Sequence, residues 1–445
     1  MFDRLSIELV DEILLLLDDD DILRARLACR DLWATVHASF GRRWLSTLYT
    51  NLTPTSLDRL ANISQTSSMA PHVRCLRIAE YPYTENPRKP LYLTRGVPVE
   101  ARTWEQQQYP RLCYHGISRV DLDSPQARRF SNMLRQFTNC KELRFTDELE
   151  DRLWSGEAAD DKLNPIDLLL IILSALDGDD GQMRSLQVQS FELEFGRAPI
   201  EKTNSWPSST ELVDMLKRSS WPTHLQQLRI NWAFRTSLVP IVVPLVTTAT
   251  QVTSLTLCQG PYSEPDPFFR ELANSPQLPA LSELKFAACN GVCPTAICQF
   301  IARFQSTLKT LQLQHVYVHR GGSLGAVLCE LAGTVEFTKL QCFTVANCLR
   351  TYFCPLVYNK EAMDKHGPRL SFAIRETRSK TGINGVRYCV HQDDPESSVN
   401  VRLAMAAIGE SCYTFGGISG YLEPDLPDVA LSEVIPAERV VKKFT

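Results

Sequence analysis

Apolar and polar positions alternate along this chain in short bursts, and one burst recurs: apolar-x-x-Leu-x-apolar. Its clearest copies are Leu225-Gln-Gln-Leu228-Arg-Ile230, Val252-Thr-Ser-Leu255-Thr-Leu257, Leu281-Ser-Glu-Leu284-Lys-Phe286 and Leu308-Lys-Thr-Leu311-Gln-Leu313. Their central leucines lie 27, 29 and 27 residues apart. Fainter copies stand upstream at Val73-Arg-Cys-Leu76-Arg-Ile78, Cys140-Lys-Glu-Leu143-Arg-Phe145 and Met183-Arg-Ser-Leu186-Gln-Val188. Another follows downstream at Leu340-Gln-Cys-Phe343-Thr-Val345, with Phe in the central place. Alternation of this kind suits a short strand with one buried face. No single unit can bury that face alone, but stacked neighbours can. Between the hexads, apolar residues recur at helical spacing. This predicts helices over 124–137, from Asn164-Pro165 through 176, and over 209–218, 266–274, 294–305 and 323–332. Thr53-Pro54 begins a further helix through Leu57 and Leu60, with proline at the first helical position. The run 238–246 resists assignment, because Pro240 and Pro244 interrupt it.

A hexad of this form repeated at a nearly constant interval resembles the leucine-rich repeat. That pattern places Asn or Cys three residues beyond the hexad. Cys289 and Cys348 match it, whereas Ala233, Gly260 and Val316 do not. The resemblance implies an α/β fold, an irregular solenoid with parallel strands on a concave face and helices outside. The plainer alternative is a set of unrelated amphipathic strands in an α/β fold.

Residues 1–48 differ in kind. Leu9, Val10, Ile13, Leu14 and Leu17 make one apolar stripe, with Glu8, Asp11 and Glu12 beside it. Ser6 can cap this helix, and Asp20 or Asp21 a second one carrying Leu23 and Leu27. A third carries Leu32, Trp33, Val36 and Phe40. Three helices this short enclose little core, so the unit must lean on a neighbour.

The order Leu5-Ser-Ile-Glu-Leu9, Glu12-Ile-Leu14 and Leu23-Arg-Ala-Arg-Leu27-Ala-Cys-Arg30-Asp-Leu-Trp33 resembles an F-box. Ser6 stands where that family has proline, replacing a fixed turn by a capping side chain. The resemblance implies docking on a Skp-type adaptor of a cullin-based ubiquitin ligase core. By position, Leu5, Ile7, Glu8 and Leu9 would open the contact surface, and Ile13, Leu14, Leu27, Cys29, Arg30 and Trp33 would extend or support it. The organisation that follows is a three-helix F-box-like domain at 1–48, a solenoid at 49–347 with an insertion near 79–125, and a capping region at 348–445. Within that last region, 369–390 can form a strand pair about the turn at 380–385, and 401–408 a further short element.

Composition narrows the chemistry. The 445 residues are 44% apolar, which excludes disorder over most of the chain. The 47 basic and 51 acidic residues nearly balance, unlike the basic footprint of a nucleic-acid or membrane-surface protein. No nucleic-acid or membrane partner is therefore expected. The first apolar run, 13–17, is too short for a signal core or a membrane span, so an intracellular protein, cytoplasmic or nuclear, is expected. Fourteen cysteines in such a chain read as buried thiols. Neither Cys289, Cys293 and Cys298 nor Cys342, Cys348 and Cys354 has the paired spacing of a zinc site. The Asp-rich loop 177–181 lacks the alternating ligands of a calcium loop. His315, His319 and the glycines of 321–325 fit a turn better than a phosphate cradle. No metal, cofactor or catalytic constellation is indicated, and the chain reads as a non-catalytic protein.

The expected function is a substrate receptor of a ubiquitin ligase, and the alternative a repeat scaffold with no ligase role. Target specificity should then reside on strand positions facing away from the buried hexad residues: Gln227, Arg229, Ser254, Thr256, Glu283, Lys285, Thr310 and Gln312.

Overall fold

The structure is a computed structural model. It describes residues 40–50, 54–79, 125–146, 165–176, 187–194, 209–219, 221–232, 238–259, 265–287, 289–314, 316–318, 324–346, 370–376, 381–389, 404–406 and 434–436, with residues 9, 12, 13, 16–18, 21 and 24 near the start. The chain forms two compact units. The first comprises 1–194, 203–206 and 214–224; the second comprises 195–202, 207–213 and 225–445.

In the first unit, four parallel strands run in chain order: β1 (Thr47–Thr50), β2 (Cys75–Ala79), β3 (Glu142–Thr146) and β4 (Ser190–Glu194). Three helices follow successive strands, α1 (Pro54–Gln65), α2 (Pro125–Gln136) and α3 (Pro165–Leu176). α1 packs on α2, and α2 on α3. All three begin with proline, where its missing N–H would have no intrahelical partner in any case. Leu60, Leu134 and Leu173 from the helices are fully buried, as are Leu48, Leu76 and Leu143 from the strands. Burying each such side chain contributes about 1.5–3 kcal/mol. α4 (Ser209–Arg218) straddles the division between the units, and the single turn α5 (Trp221–His224) belongs to the first. Trp221 meets Phe191 edge-on at 4.7 Å, and Phe191 meets Phe145 at 5.4 Å.

The second unit repeats the plan with more even spacing. Its parallel strands are β5 (Gln227–Trp232), β6 (Ser254–Gln259), β7 (Glu283–Ala287), β9 (Thr310–Gln314) and β11 (Cys342–Ala346). A separate parallel pair, β8 (Asn290–Val292) with β10 (Tyr317–Val318), lies in the loops that follow β7 and β9. The helices α6 (Val239–Thr247), α7 (Pro265–Asn274), α8 (Pro294–Ala302) and α9 (Leu324–Thr334) pack in series. A phenylalanine cluster fills the space between them and the sheet: Phe269 lies 5.7 Å from Phe286 and 5.6 Å from Phe300. The strands β12 (Leu370–Glu376) and β13 (Thr381–Cys389) form an antiparallel hairpin, and β13 pairs with β11. β14 (Val434–Pro436) lies along β12.

One hydrogen-bond device recurs in both units. The amides of Arg74 and Cys75 both donate to the carbonyl of Ser46, and those of Lys141 and Glu142 to Arg74. The same two-to-one bond joins Gln189 and Ser190 to Lys141, Thr253 and Ser254 to Gln226, and Ser282 and Glu283 to Thr253. It recurs from Lys309 and Thr310 to Ser282, and from Gln341 and Cys342 to Lys309. It sits at the second hexad position each time and pins the register of each of these strands on the one before.

The structure corrects four details of the sequence reading. The hexad placed at 183–188 stands five residues later: Leu143 pairs with Phe191, so the buried set is Val188, Phe191 and Leu193. Two overlapping alternations compete here, and pairing with β3 selects the later one. The proline-interrupted run 238–246 is helix α6, because Pro240 falls in the first turn and burial of Ile241, Val242, Leu245 and Val246 outweighs the cost of Pro244. Thr248 closes its end, donating both N–H and Oγ1–H to the Pro244 carbonyl. Near the N-terminus Asp18 Oδ1 accepts the Asp21 N–H at 2.8 Å as a capping side chain does, and Asp21 is itself helical rather than the cap, while Asp20 lies outside the described residues. The C-terminal hairpin forms, but Glu376 already pairs with Thr381, so 381–385 belongs to β13.

Candidate functional site

Two features present unusual chemistry. The first is the N-terminal helix. Leu9, Glu12, Ile13 and Leu16 are helical, and Leu9, Ile13 and Leu16 share one face. Leu9 is 49% exposed and Leu16 87% exposed, while Ile13 is half-buried. Leu17, assigned to the stripe from sequence, lies in a bend. The run 13–17 is apolar at every position, so periodicity alone cannot choose its outward residue. Of the other positions drawn from the F-box resemblance, Leu5, Ile7, Glu8, Leu14, Leu27, Cys29, Arg30 and Trp33 lie outside the described residues. So do 80–124, the loop 177–181, His315 and His319.

The second feature is the sheet face turned away from the helices. In the second unit all eight sequence-assigned positions lie on it, in two straight rows. Gln227, Ser254, Glu283 and Thr310 are register partners across β5, β6, β7 and β9, and so are Arg229, Thr256, Lys285 and Gln312. Gln227 and Arg229 are exposed and the other six half-buried, whereas the alternate residues Leu228, Leu255, Leu284 and Leu311 are buried. Ser254 Oγ donates to Glu283 Oε2 at 3.0 Å. On the covered side, Cys289 donates its thiol hydrogen to the Leu257 carbonyl at 3.5 Å.

In the first unit the corresponding face carries ion pairs and a cation–ring contact of its own. Arg144 donates to Glu142 through Nε at 2.6 Å and pairs with Glu192 at 3.5 Å. Burial alone would lower its pKa, but the two carboxylates hold it above the ordinary value. Arg77 lies over the Tyr49 ring, 5.5 Å from its centroid, and donates to its hydroxyl at 3.3 Å. Beside them, burial and then the Glu142 charge push the Cys75 thiol up to about 11. Burial pushes Cys140 up to about 12. Burial also raises Cys298, and all these thiols are free. Such thiols are packing groups and poor nucleophiles at neutral pH.

Sequence reasoning missed β1. It is a ninth hexad, Leu45-Ser-Thr-Leu48-Tyr-Thr50, in register with Val73 to Ile78, and it spans the boundary read at 48/49. Thr50 occupies the final apolar place. It is buried there because its Oγ1 accepts a hydrogen bond from Ser56 Oγ at 2.8 Å. Among the described residues no cluster of three or more His, Cys, Asp or Glu is placed to hold a metal, and no helix is long and apolar enough to cross a membrane. Compared with known proteins, the chain matches no family model and no curated sequence.

Proposed function

We propose that this chain is a substrate-receptor subunit of a cullin-based ubiquitin ligase. The N-terminal helix docks on a Skp-type adaptor, and the open face of the repeats, the concave side of the solenoid, holds a target protein. The chain carries out no bond chemistry of its own. Holding the target beside the transfer machinery raises the effective concentration of its lysines there, which is how a tether accelerates a reaction catalysed by others. The observation that carries this reading is the outward Leu9 and Leu16 on the N-terminal helix. Exposed leucines aligned on one helix face are an unfavourable surface unless something covers them. The eight polar positions ranked on the open face give a repeat protein a place to grip its target.

A second reading is a repeat scaffold whose first helices serve only as a cap. The half-buried Ile13 favours it. A pull-down of the purified chain with a Skp-type adaptor separates the two, with a Leu9→Asp, Ile13→Asp double variant beside the parent. Buried contact residues of this kind cost on the order of 2 kcal/mol or more when lost. Capture by the parent and loss in a variant whose circular dichroism is unchanged is the expected result. A folded parent that fails to capture the adaptor leaves the scaffold as the better account.

A further inference from the structure

We propose that Cys342 and Cys389 form a reversible disulfide that fastens the C-terminal hairpin to the last parallel strand of the second unit. The inference stands apart from adaptor and target docking, since it concerns how the repeat array is closed.

The two cysteines are register partners across the antiparallel pair β11–β13. Among the described residues no other cysteine pair is set opposite in a strand pairing. Hydrogen bonding then fixes the kind of pair. The Cys342 N–H donates to the carbonyl of Lys309, just ahead of β9, at 3.0 Å. A strand residue sends its N–H and C=O to one side, and successive residues alternate sides. Cys342 therefore turns both groups towards β9, and the ladder bonds to β13 fall to Phe343 and Val345. Cys342 and Cys389 are thus a non-hydrogen-bonded antiparallel pair, the kind whose Cα atoms come closest, about 4.5 Å apart. A disulfide accommodates Cα separations of about 4.4–6.8 Å. The backbone register alone brings the two positions within that range.

Exposure separates this pair from the other thiols. Cys342 follows Thr310 in the open-face row, and its half-buried side chain is not in a disulfide. Cys75, Cys140, Cys258, Cys289 and Cys298 are buried, out of reach of a reagent in solvent. Cys293 and Cys329 are half-buried, but neither lies in a paired strand. The oxidant is a small-molecule disulfide. One cysteine, as thiolate, attacks a sulfur of that disulfide, forms a mixed disulfide and releases one thiolate. The second cysteine, its proton gone, attacks the protein sulfur of the mixed disulfide and releases the other. Two protein thiols are oxidised and one small disulfide is reduced to two thiols, which take up the two protons. The product closes the chain between 342 and 389. A repeat array needs its end covered, and β13 lies along the edge of β11 that the last repeat would leave open. The bond holds that cover in place and restricts the unfolded chain.

The test equilibrates the full folded chain with graded ratios of oxidised to reduced glutathione. Acid quenching, alkylation of the remaining thiols under denaturing conditions and digestion follow, and mass spectrometry reads the linked peptides. The main product should join Cys342 to Cys389. Its formation should be favoured at least about thirtyfold over the same link in the urea-unfolded chain, the factor that matches the lower end of what a disulfide contributes to stability. The urea midpoint of the oxidised parent should lie above that of the reduced parent. Cys342→Ser and Cys389→Ser should each abolish the link and that rise, and Cys342→Ala replaces the serine variant should the hydroxyl disturb folding. Absence of the link in a folded parent overturns the proposal. So does a link formed as readily in urea, or Cys342 and Cys389 joined to other cysteines in comparable yield. An oxidised parent with no rise in midpoint overturns the fastening role.

Discussion

The guanidinium of Arg59 on α1 donates to the backbone carbonyl of Tyr49, on the outermost strand of the first sheet. The Ser46 carbonyl receives the amides of Arg74 and Cys75. Carbonyl directions alternate along a strand, so the Tyr49 carbonyl points away from β2, on the side of β1 where no strand lies among the described residues. An uncovered edge is a template for pairing with another chain, and a charged group placed on it discourages that. Burial lowers the Arg59 pKa, and its Nε is buried without a partner, so the position carries a desolvation cost.

Arg59→Met, which keeps the packed stem and removes the donor, should destabilise the first unit by about 1–3 kcal/mol, the range for a lost charge-assisted hydrogen bond. It should also raise self-association. Urea midpoints and light scattering read the two effects, and an unchanged midpoint with no added scattering would remove this account of Arg59.

Gly41 opens a π-helical turn, Gly41–Leu45, that leads into β1. A Cβ at this buried position would overlap the His72 imidazole. Gly41→Ala should therefore cost about 1–3 kcal/mol through overpacking. The combination with His72→Ala should cost less than the sum of the two single changes, since the obstacle is then gone. A double-mutant cycle by chemical denaturation measures it, and additivity would locate the strain elsewhere.

Arg144 holds Glu142 on its own strand and Glu192 on the next. Arg144→Met removes the cation that both carboxylates meet. The loss should be about 1–2 kcal/mol at neutral pH, between a surface pair and a buried one. Urea midpoints of the parent and the variant measure it, and an unchanged midpoint would remove this account of Arg144.

Cys75 and Cys140 are raised from an ordinary 9.0 to about 11 and about 12. A thiol with a raised folded-state pKa keeps its proton longer in the folded chain than in the unfolded one. Its contribution is therefore complete below pH 9 and is lost as pH rises towards 11–12. Stability should fall from about pH 9 upward, and Cys75→Ala should lessen that slope. Thiol reagents at pH 8 should label both residues slowly until denaturant is added. Rapid labelling of the folded chain at either would contradict the burial.

Phe191, and not a residue of the earlier hexad 183–188, stacks between Phe145 and Trp221. Phe191→Ala should cost about 3–5 kcal/mol, as for other large aromatic truncations in a core. A melting temperature close to that of the parent would reject the register of β4.

The repeat of apolar-x-x-Leu-x-apolar determined most of the architecture before any coordinates. Its period of two decides which side chains of each strand go inward, and this placed Gln227, Arg229, Ser254, Thr256, Glu283, Lys285, Thr310 and Gln312 on the opposite face. Proline at the first helical position marked where α1 and α3 begin. These are local signals, held within a few residues, and local signals survive without neighbours. The tertiary structure decided what depends on partners distant in sequence. Pairing with β3 chose Phe191 over Leu186, and a hydrogen bond from Ser56 let Thr50 stand in an apolar place. Packing made a helix of a segment with Pro240 and Pro244. That Leu16 faces outward on the first helix was likewise a matter of helical phase. The chemistry of the two open faces diverged for the same reason. Only register could show that Arg144 on β3 meets Glu192 on β4, while Lys285 on β7 has Thr256 and Gln312 as its cross-strand neighbours.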